Sequence, residues 1–204
     1  MTTSDSTADV SFHLRPPRDG GGTALLLIDL QNAFLHPDGE HYYPAAAESL
    51  APQRELLDAA RRAGRLIIHT AQLHRPGLRD FEQIKLPEHC RIGDWNAEFF
   101  DGFGPGGWAD EVVIAKRRPS AFFRTDLDLL LNEQRITRLL IAGVKTNVCV
   151  RATVTDGFSH GFECFVVREA ASSNRPQLAD ASLEDIARYF GWVVSLPQAL
   201  ESLQ

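Results

Sequence analysis

Cysteine is scarce in this chain: Cys90, Cys149 and Cys164 are the only three, an odd number, and no Cys-x-x-Cys pair occurs. That excludes a disulfide framework and the usual thiolate zinc and redox motifs, and it fits a reducing compartment. No run approaches the roughly 18–20 apolar residues of a membrane span. The opening MTTSDSTADVSFHLRPPRDGGG has neither the basic start nor the apolar stretch of a signal peptide. Basic charge is short too. Against 27 Asp and Glu stand 21 Lys and Arg, a formal net charge of -6, which argues against an electrostatic nucleic-acid binder. A Gly-rich phosphate turn is missing after the first apolar run, where Asp29-Leu30-Gln31-Asn32 stands instead; Gly20 to Gly22 precede that run and cannot cradle a pyrophosphate at a helix start. The expectation is a cytoplasmic protein with no nucleic-acid or membrane partner. A few placed cations would still serve an anionic small molecule.

What is present is ordinary. The 204 residues, 44% hydrophobic and 24% charged, suit one soluble domain with a full core. Residues 1–22 read as an irregular N-terminal arm and 23–204 as a single domain without internal repeats. Short aliphatic runs recur at 24–30, 66–70, 111–115, 139–143, 163–167 and 192–196. Each is apolar on both faces, as strands of a buried parallel sheet are. Between them, 48–63, 125–134, 148–160 and 178–190 carry helix signals: Gly64, Gly161 and Gly191 follow three of them, and Thr125 and Asp126 open another. Strand and helix alternating over one domain predict a doubly wound, Rossmann-like α/β fold, a three-layer αβα sandwich around a mainly parallel six-stranded sheet. The stretch 73–110, with prolines and glycines toward its ends, reads as an excursion that covers a pocket.

Ligands of such sheets sit beyond the carboxyl ends of the strands. Those ends are Asp29, 69–72, Lys116, 144–149 and 168–171. Asp29 closes an aliphatic run, where a charge is costly unless paired; alone it reads equally as a helix cap. Lys116 closes the third run and could pair with it, or be an ordinary solvated lysine. Cys149 falls in the first turn after the fourth run, where a helix N-terminus lowers a thiol's pKa; alone it reads as a small core residue. Together they set an acid, a cation and a thiol at one end of three strands. That is what nucleophilic acyl transfer needs.

The strings LLLIDLQNAF, VIAKRRPSAFFRTDLDLLL and LIAGVKTNVCVRATVTDGFSHGF resemble, in order and over about residues 23 to 200, the isochorismatase-like cysteine hydrolases. The resemblance implies a catalytic triad of Asp29, Lys116 and Cys149. It implies a cis peptide between Val144 and Lys145, and an oxyanion hole from the backbone N–H groups of Lys145 and Cys149. It also implies a homodimer or homotetramer.

Within that family, the nicotinamidases hold a metal through an Asp-x-His pattern after the second strand. Here Gln72 stands at the Asp position before His74, a neutral amide is a poor ligand, and His69 with His74 makes a weak pair. No metal and no cofactor are expected. Isochorismatases proper cleave a vinyl ether without a nucleophilic cysteine, so Cys149 favours an amide. The block around Cys149 is most similar to relatives acting on ureido and carbamoyl compounds. The expected reaction is cysteine-dependent hydrolysis of a C–N bond in a small ureido, carbamoyl or amide substrate. Vinyl-ether hydrolysis, nicotinamidase activity or an idle binding module are the alternatives. Gln31 and Asn32 are candidates to hold a urea-like head, and Phe34, Trp95 and Phe123 to wall it, or to be plain packing. Arg124 is a candidate for a substrate carboxylate, or a surface arginine at a helix start. Lys145, where many relatives have a small residue, meets an anion at the mouth or is only solvated.

Overall fold

The structure is a computed structural model that describes residues 20–108 and 110–204. The arm expected over 1–22 lies almost wholly outside the described residues. Six strands form one sheet: β1 (Gly22–Ile28), β2 (Ile67–Gln72), β3 (Glu111–Lys116), β4 (Ile136–Val144), β5 (Glu163–Ser172) and β6 (Trp192–Val194). All neighbours pair in parallel, in the order β3-β2-β1-β4-β5-β6. The order reverses between β1 and β4, which opens a crevice at their carboxyl ends.

The alternation of side chains along a strand builds the three layers. From β1, Leu25 and Leu27 point into one core with Leu56 and Leu57 of α2 (Ala45–Arg62) and Leu203 of α6 (Leu196–Leu203). The short α1 (Asn32–Leu35) lies on that side. Ala24, Leu26 and Ile28 point the other way, onto Leu127 and Leu131 of α3 (Leu127–Glu133), Val154 of α4 (Arg151–Ser159) and Leu183 of α5 (Pro176–Asp185). The αβα sandwich expected from the apolar runs is the fold. β3 departs from expectation: as an edge strand it leaves Val113 45% exposed.

Local chemistry explains several boundaries. α2 stops at Gly64, whose φ of +58° suits a glycine after a helix C-terminus. α3 begins as Thr125 accepts the Leu127 N–H on its hydroxyl. The sixth run ends sooner than expected, because Ser195 and Gln198 form a capping box that starts α6. At Gly143 φ is +124°, and a Cβ there would lie 2.2 Å from the Ile28 carbonyl oxygen. β4 therefore runs past the end of β1 at a distance only glycine permits. Among the described residues no helix is long and apolar enough to cross a membrane.

Candidate active site

Three strand ends converge at the crevice. β1 ends in Asp29, which turns out of the strand at φ +53°, a left-handed conformation Asp tolerates better than most residues. β3 ends in Lys116, reaching inward from the edge. β4 ends in Val144, the Val144–Lys145 peptide is cis, and a π-helical turn (Thr146–Val150) carries Cys149 ahead of α4.

Asp29 and Lys116 are fully buried, with Nζ 2.7 Å from Oδ2. The other carboxylate oxygen, Oδ1, accepts the Thr70 hydroxyl at 2.7 Å, and that hydroxyl in turn accepts the Asp29 N–H at 3.0 Å. Oδ2 makes no aligned hydrogen bond among the described residues, so it faces the lysine charge with a lone pair still available. Lys116 also donates to Gln72 Oε1 at 2.6 Å and to the Arg118 carbonyl at 3.2 Å, and lies 3.6 Å from Cys149 Sγ. An acid, a cation and a thiol are thus in mutual reach.

The electrostatics differ from the helix-terminus expectation. Burial pushes the Cys149 thiol up to about 12; Lys116 pulls it down, while the Asp29 charge and hydrogen bonding to it push it up. The resting thiol is therefore protonated and needs a base. Cys164 is pushed to about 12 by burial alone, and Cys90 higher still. What distinguishes Cys149 is its neighbours, not its acidity. Burial would lower Lys116, but the attraction of Asp29 and of Cys149 outweighs it, and the lysine is held above its ordinary value as a permanent cation.

Cys149 opens on a cavity of about 160 Å³ lined also by Phe34, His41, Gln72, Glu82, His89 and Lys145. That is small beside the roughly 300–1,000 Å³ of pockets for drug-sized ligands. Of the candidate binding residues, Phe34 and Lys145 are on its wall. The Gln31 amide is fully engaged elsewhere: it donates to the Gln72 and Ala97 carbonyls and accepts the Gln72 N–H. Asn32 donates to the Trp95 carbonyl at 3.0 Å. Both residues tie the excursion after β2 to the sheet rather than face the cavity. Trp95 packs edge-on against His36. Phe123 and Arg124, both exposed, line a second cleft of about 480 Å³ with Phe81, Lys116, Arg117 and Arg118; Cys149 is not on its wall. The structure does not put these five on the wall of the cavity that holds the thiol.

Sequence reasoning missed Thr70, Gln72, Glu82 and His89. Gln72 was read only as a failed metal ligand, yet it links the lysine to the excursion: its Nε2 donates to Glu82 Oε2 at 2.8 Å and lies 2.9 Å from His74 Nε2. His74 lies 3.1 Å from Asp80 Oδ2, and Asp80 also meets Arg118 at 2.7 Å. The weak pair of His69 and His74 does not form, since His69 lies 3.3 Å from Glu111 instead. His74 gathers with Glu82 and His89, ligand atoms within 4.8 Å of one another. Two imidazoles and a carboxylate are a donor set for a divalent transition metal. In the present arrangement His74 and Glu82 face each other at 3.2 Å and share the Gln72 amide.

Residues 23–198 match the Isochorismatase domain family. The chain is 32% identical over 190 residues to the maleamate amidohydrolase of Pseudomonas putida, covering 91% of this chain and 88% of that one. Its fold is similar to that of the nicotinamidase of Bacillus subtilis (TM-score 0.80, 26% identity, 85% of this chain and 99% of that one). It is similar too to the N-carbamoylsarcosine amidase of Thermoplasma acidophilum (TM-score 0.76, 27% identity, 86% and 96%).

Proposed function

The chain belongs to the isochorismatase family, and from that premise we propose that it is a cysteine-dependent amidohydrolase of small ureido, carbamoyl or amide compounds. Its class is that of hydrolases of carbon–nitrogen bonds other than peptide bonds. The carrying observation is the buried Asp29–Lys116 pair with Cys149 Sγ 3.6 Å from the same ammonium.

Asp29 takes the proton of the Cys149 thiol, through the Oδ2 lone pair that no aligned hydrogen bond uses. Lys116, 2.7 Å from that carboxylate and 3.6 Å from sulfur, offsets the negative charge as it passes from one to the other. The thiolate attacks the carbonyl carbon, and the backbone N–H groups of Lys145 and Cys149 receive the oxyanion. Protonated Asp29 then gives its proton to the departing nitrogen, which leaves as ammonia or an amine. A thioester-type intermediate remains on Cys149. Water attacks it, Asp29 takes the water's proton, the acid departs, and the proton returns to sulfur. Charge and protons balance over the cycle, and each transfer passes through one carboxylate. A divalent cation held by His74, Glu82 and His89 would act as a Lewis acid toward an atom in the same cavity. No step above is routed through it. The protein is taken to work in the cytoplasm as a homodimer or homotetramer.

The test is ammonia release from a panel of N-carbamoyl acids, ureidoacrylate, biuret, maleamate, nicotinamide and simple amides. With an active substrate, rapid quenching gives an acyl adduct on Cys149 by mass spectrometry. Cys149→Ala loses about three or more orders of magnitude in kcat/KM with its fold intact. Full turnover by that variant overturns the assignment.

A further inference from the structure

The cavity holds a cation without a partner. Lys145 is half-buried on its wall, four residues before Cys149, with Nζ 5.5 Å from the Tyr43 ring centroid and 6.0 Å from that of Phe34. Among the described residues its ammonium makes no hydrogen bond and no ion pair. The other charged groups of the site are committed. Lys116 is held by Asp29. Glu82, the one carboxylate lining the cavity, accepts the Gln72 amide and lies 3.2 Å from His74. His41 on the same wall offers no negative charge in either protonation state. Burial pulls Lys145 below its ordinary value, with only Cys149 acting the other way. Two aromatic faces give partial compensation to a cation. A carboxylate in the cavity would supply the rest, in a site where charge-assisted bonds are strong.

Resting on the amidohydrolase reading above, we propose that the Lys145 side chain is the specificity determinant of this site, binding the carboxylate of a short anionic substrate whose amide or ureido carbonyl lies a few bonds away at Cys149. The substrate class is thus the monoamide of a small dicarboxylic acid, or the N-carbamoyl derivative of a small amino acid. The smallness of the cavity, with Lys145 and Cys149 on one wall system, limits the spacer to a few atoms. Arg124, the other cation considered for this task, lines the second cleft, whose wall holds neither Lys145 nor Cys149. Lys145 has two separable parts in this scheme. The backbone N–H belongs to the oxyanion hole, and the side chain reads the substrate.

The experiment uses succinamate and maleamate beside their uncharged methyl esters, with wild type, Lys145→Met and Lys145→Arg. Met keeps the apolar stem and removes the charge. Lys145→Met lowers kcat/KM for the anionic amides roughly ten- to hundredfold more than for the esters at their amide bond, chiefly through KM. Lys145→Arg recovers part of the loss. In parallel, succinate protects the Cys149 thiol from iodoacetamide in wild type but not in Lys145→Met. Equal losses on charged and neutral amides, or no loss on either, overturn the proposal while leaving the amidohydrolase reading standing. Protection that needs Lys145, in a protein releasing ammonia from no amide or ureido compound, keeps the anion site and overturns the amidohydrolase reading.

Discussion

The two ends of β3 both send a charged side chain into the protein, yet they are built to different ends. At its start, the Glu111 carboxylate is 1% exposed and closed off: Arg61 meets it at 2.6 and 3.2 Å, the Gly106 N–H donates at 2.6 Å, and His69 stands 3.3 Å away. At its finish, Lys116 meets Asp29, but Oδ2 lacks an aligned hydrogen bond and a thiol stands beside the ammonium. The first cluster uses up its valences on its own neighbours and acts as a staple between α2, the excursion and the sheet. The second leaves a lone pair unused and sets beside it a thiol that opens on a cavity. Buried charge marks function where its partners are incomplete, not simply where it is buried.

The sharpest way to break this comparison is at Lys116. Lys116→Met should abolish turnover and also destabilise the fold by about 3–5 kcal/mol, because Asp29 is left as an uncompensated buried charge. Urea unfolding monitored by circular dichroism, beside the ammonia assay, separates the two effects. Retained turnover would remove the distinction between the two ends. Next comes Glu111→Gln, expected to cost about 1–3 kcal/mol in the same unfolding experiment while kcat/KM stays within twofold. It also carries a pH signature. Burial would raise the Glu111 pKa, but the Arg61 bonds, the Gly106 N–H and the charges of Arg61 and His69 outweigh it and hold it below the ordinary value. The stabilisation is therefore present above the unfolded carboxylate value of 4.5 and is lost as pH falls through the lower folded value. In the variant, this part of the acid sensitivity disappears. The smallest effect is expected at Arg124, exposed in the other cleft: Arg124→Ala should leave KM unchanged within about twofold, and a large rise would relocate the substrate.

Much of this was legible in the residues. Six short aliphatic runs are six strands because a parallel sheet covered on both faces needs apolar side chains on both. Asp29, Lys116 and Cys149 were visible because strand ends are where such sheets bind ligands. The partners were harder. Thr70 and Gln72 lie inside a buried strand, where a polar residue gives no hint of which neighbour it will meet. Glu82 and His89 come from 73–110, whose path follows no period, so nothing local says that they return to the thiol. Gln31 and Asn32 lay next to the acid in sequence, yet the chain turns at Asp29 and sends their amides to the excursion's backbone. One element had a signal that went unused: Ser195 and Gln198 are spaced as a capping box, which would have ended the sixth strand and started α6.

Gly143 sets a limit of another kind. In a library of single substitutions scored for activity, position 143 should be as intolerant as position 149, although it offers the substrate nothing. Any side chain there must push β4 away from Ile28, and with it the turn that brings sulfur to the carboxylate. Engineers who wish to change what this enzyme accepts would start from the Lys145 side chain. The seam between β1 and β4 is the fixed tooling against which every such variant is machined.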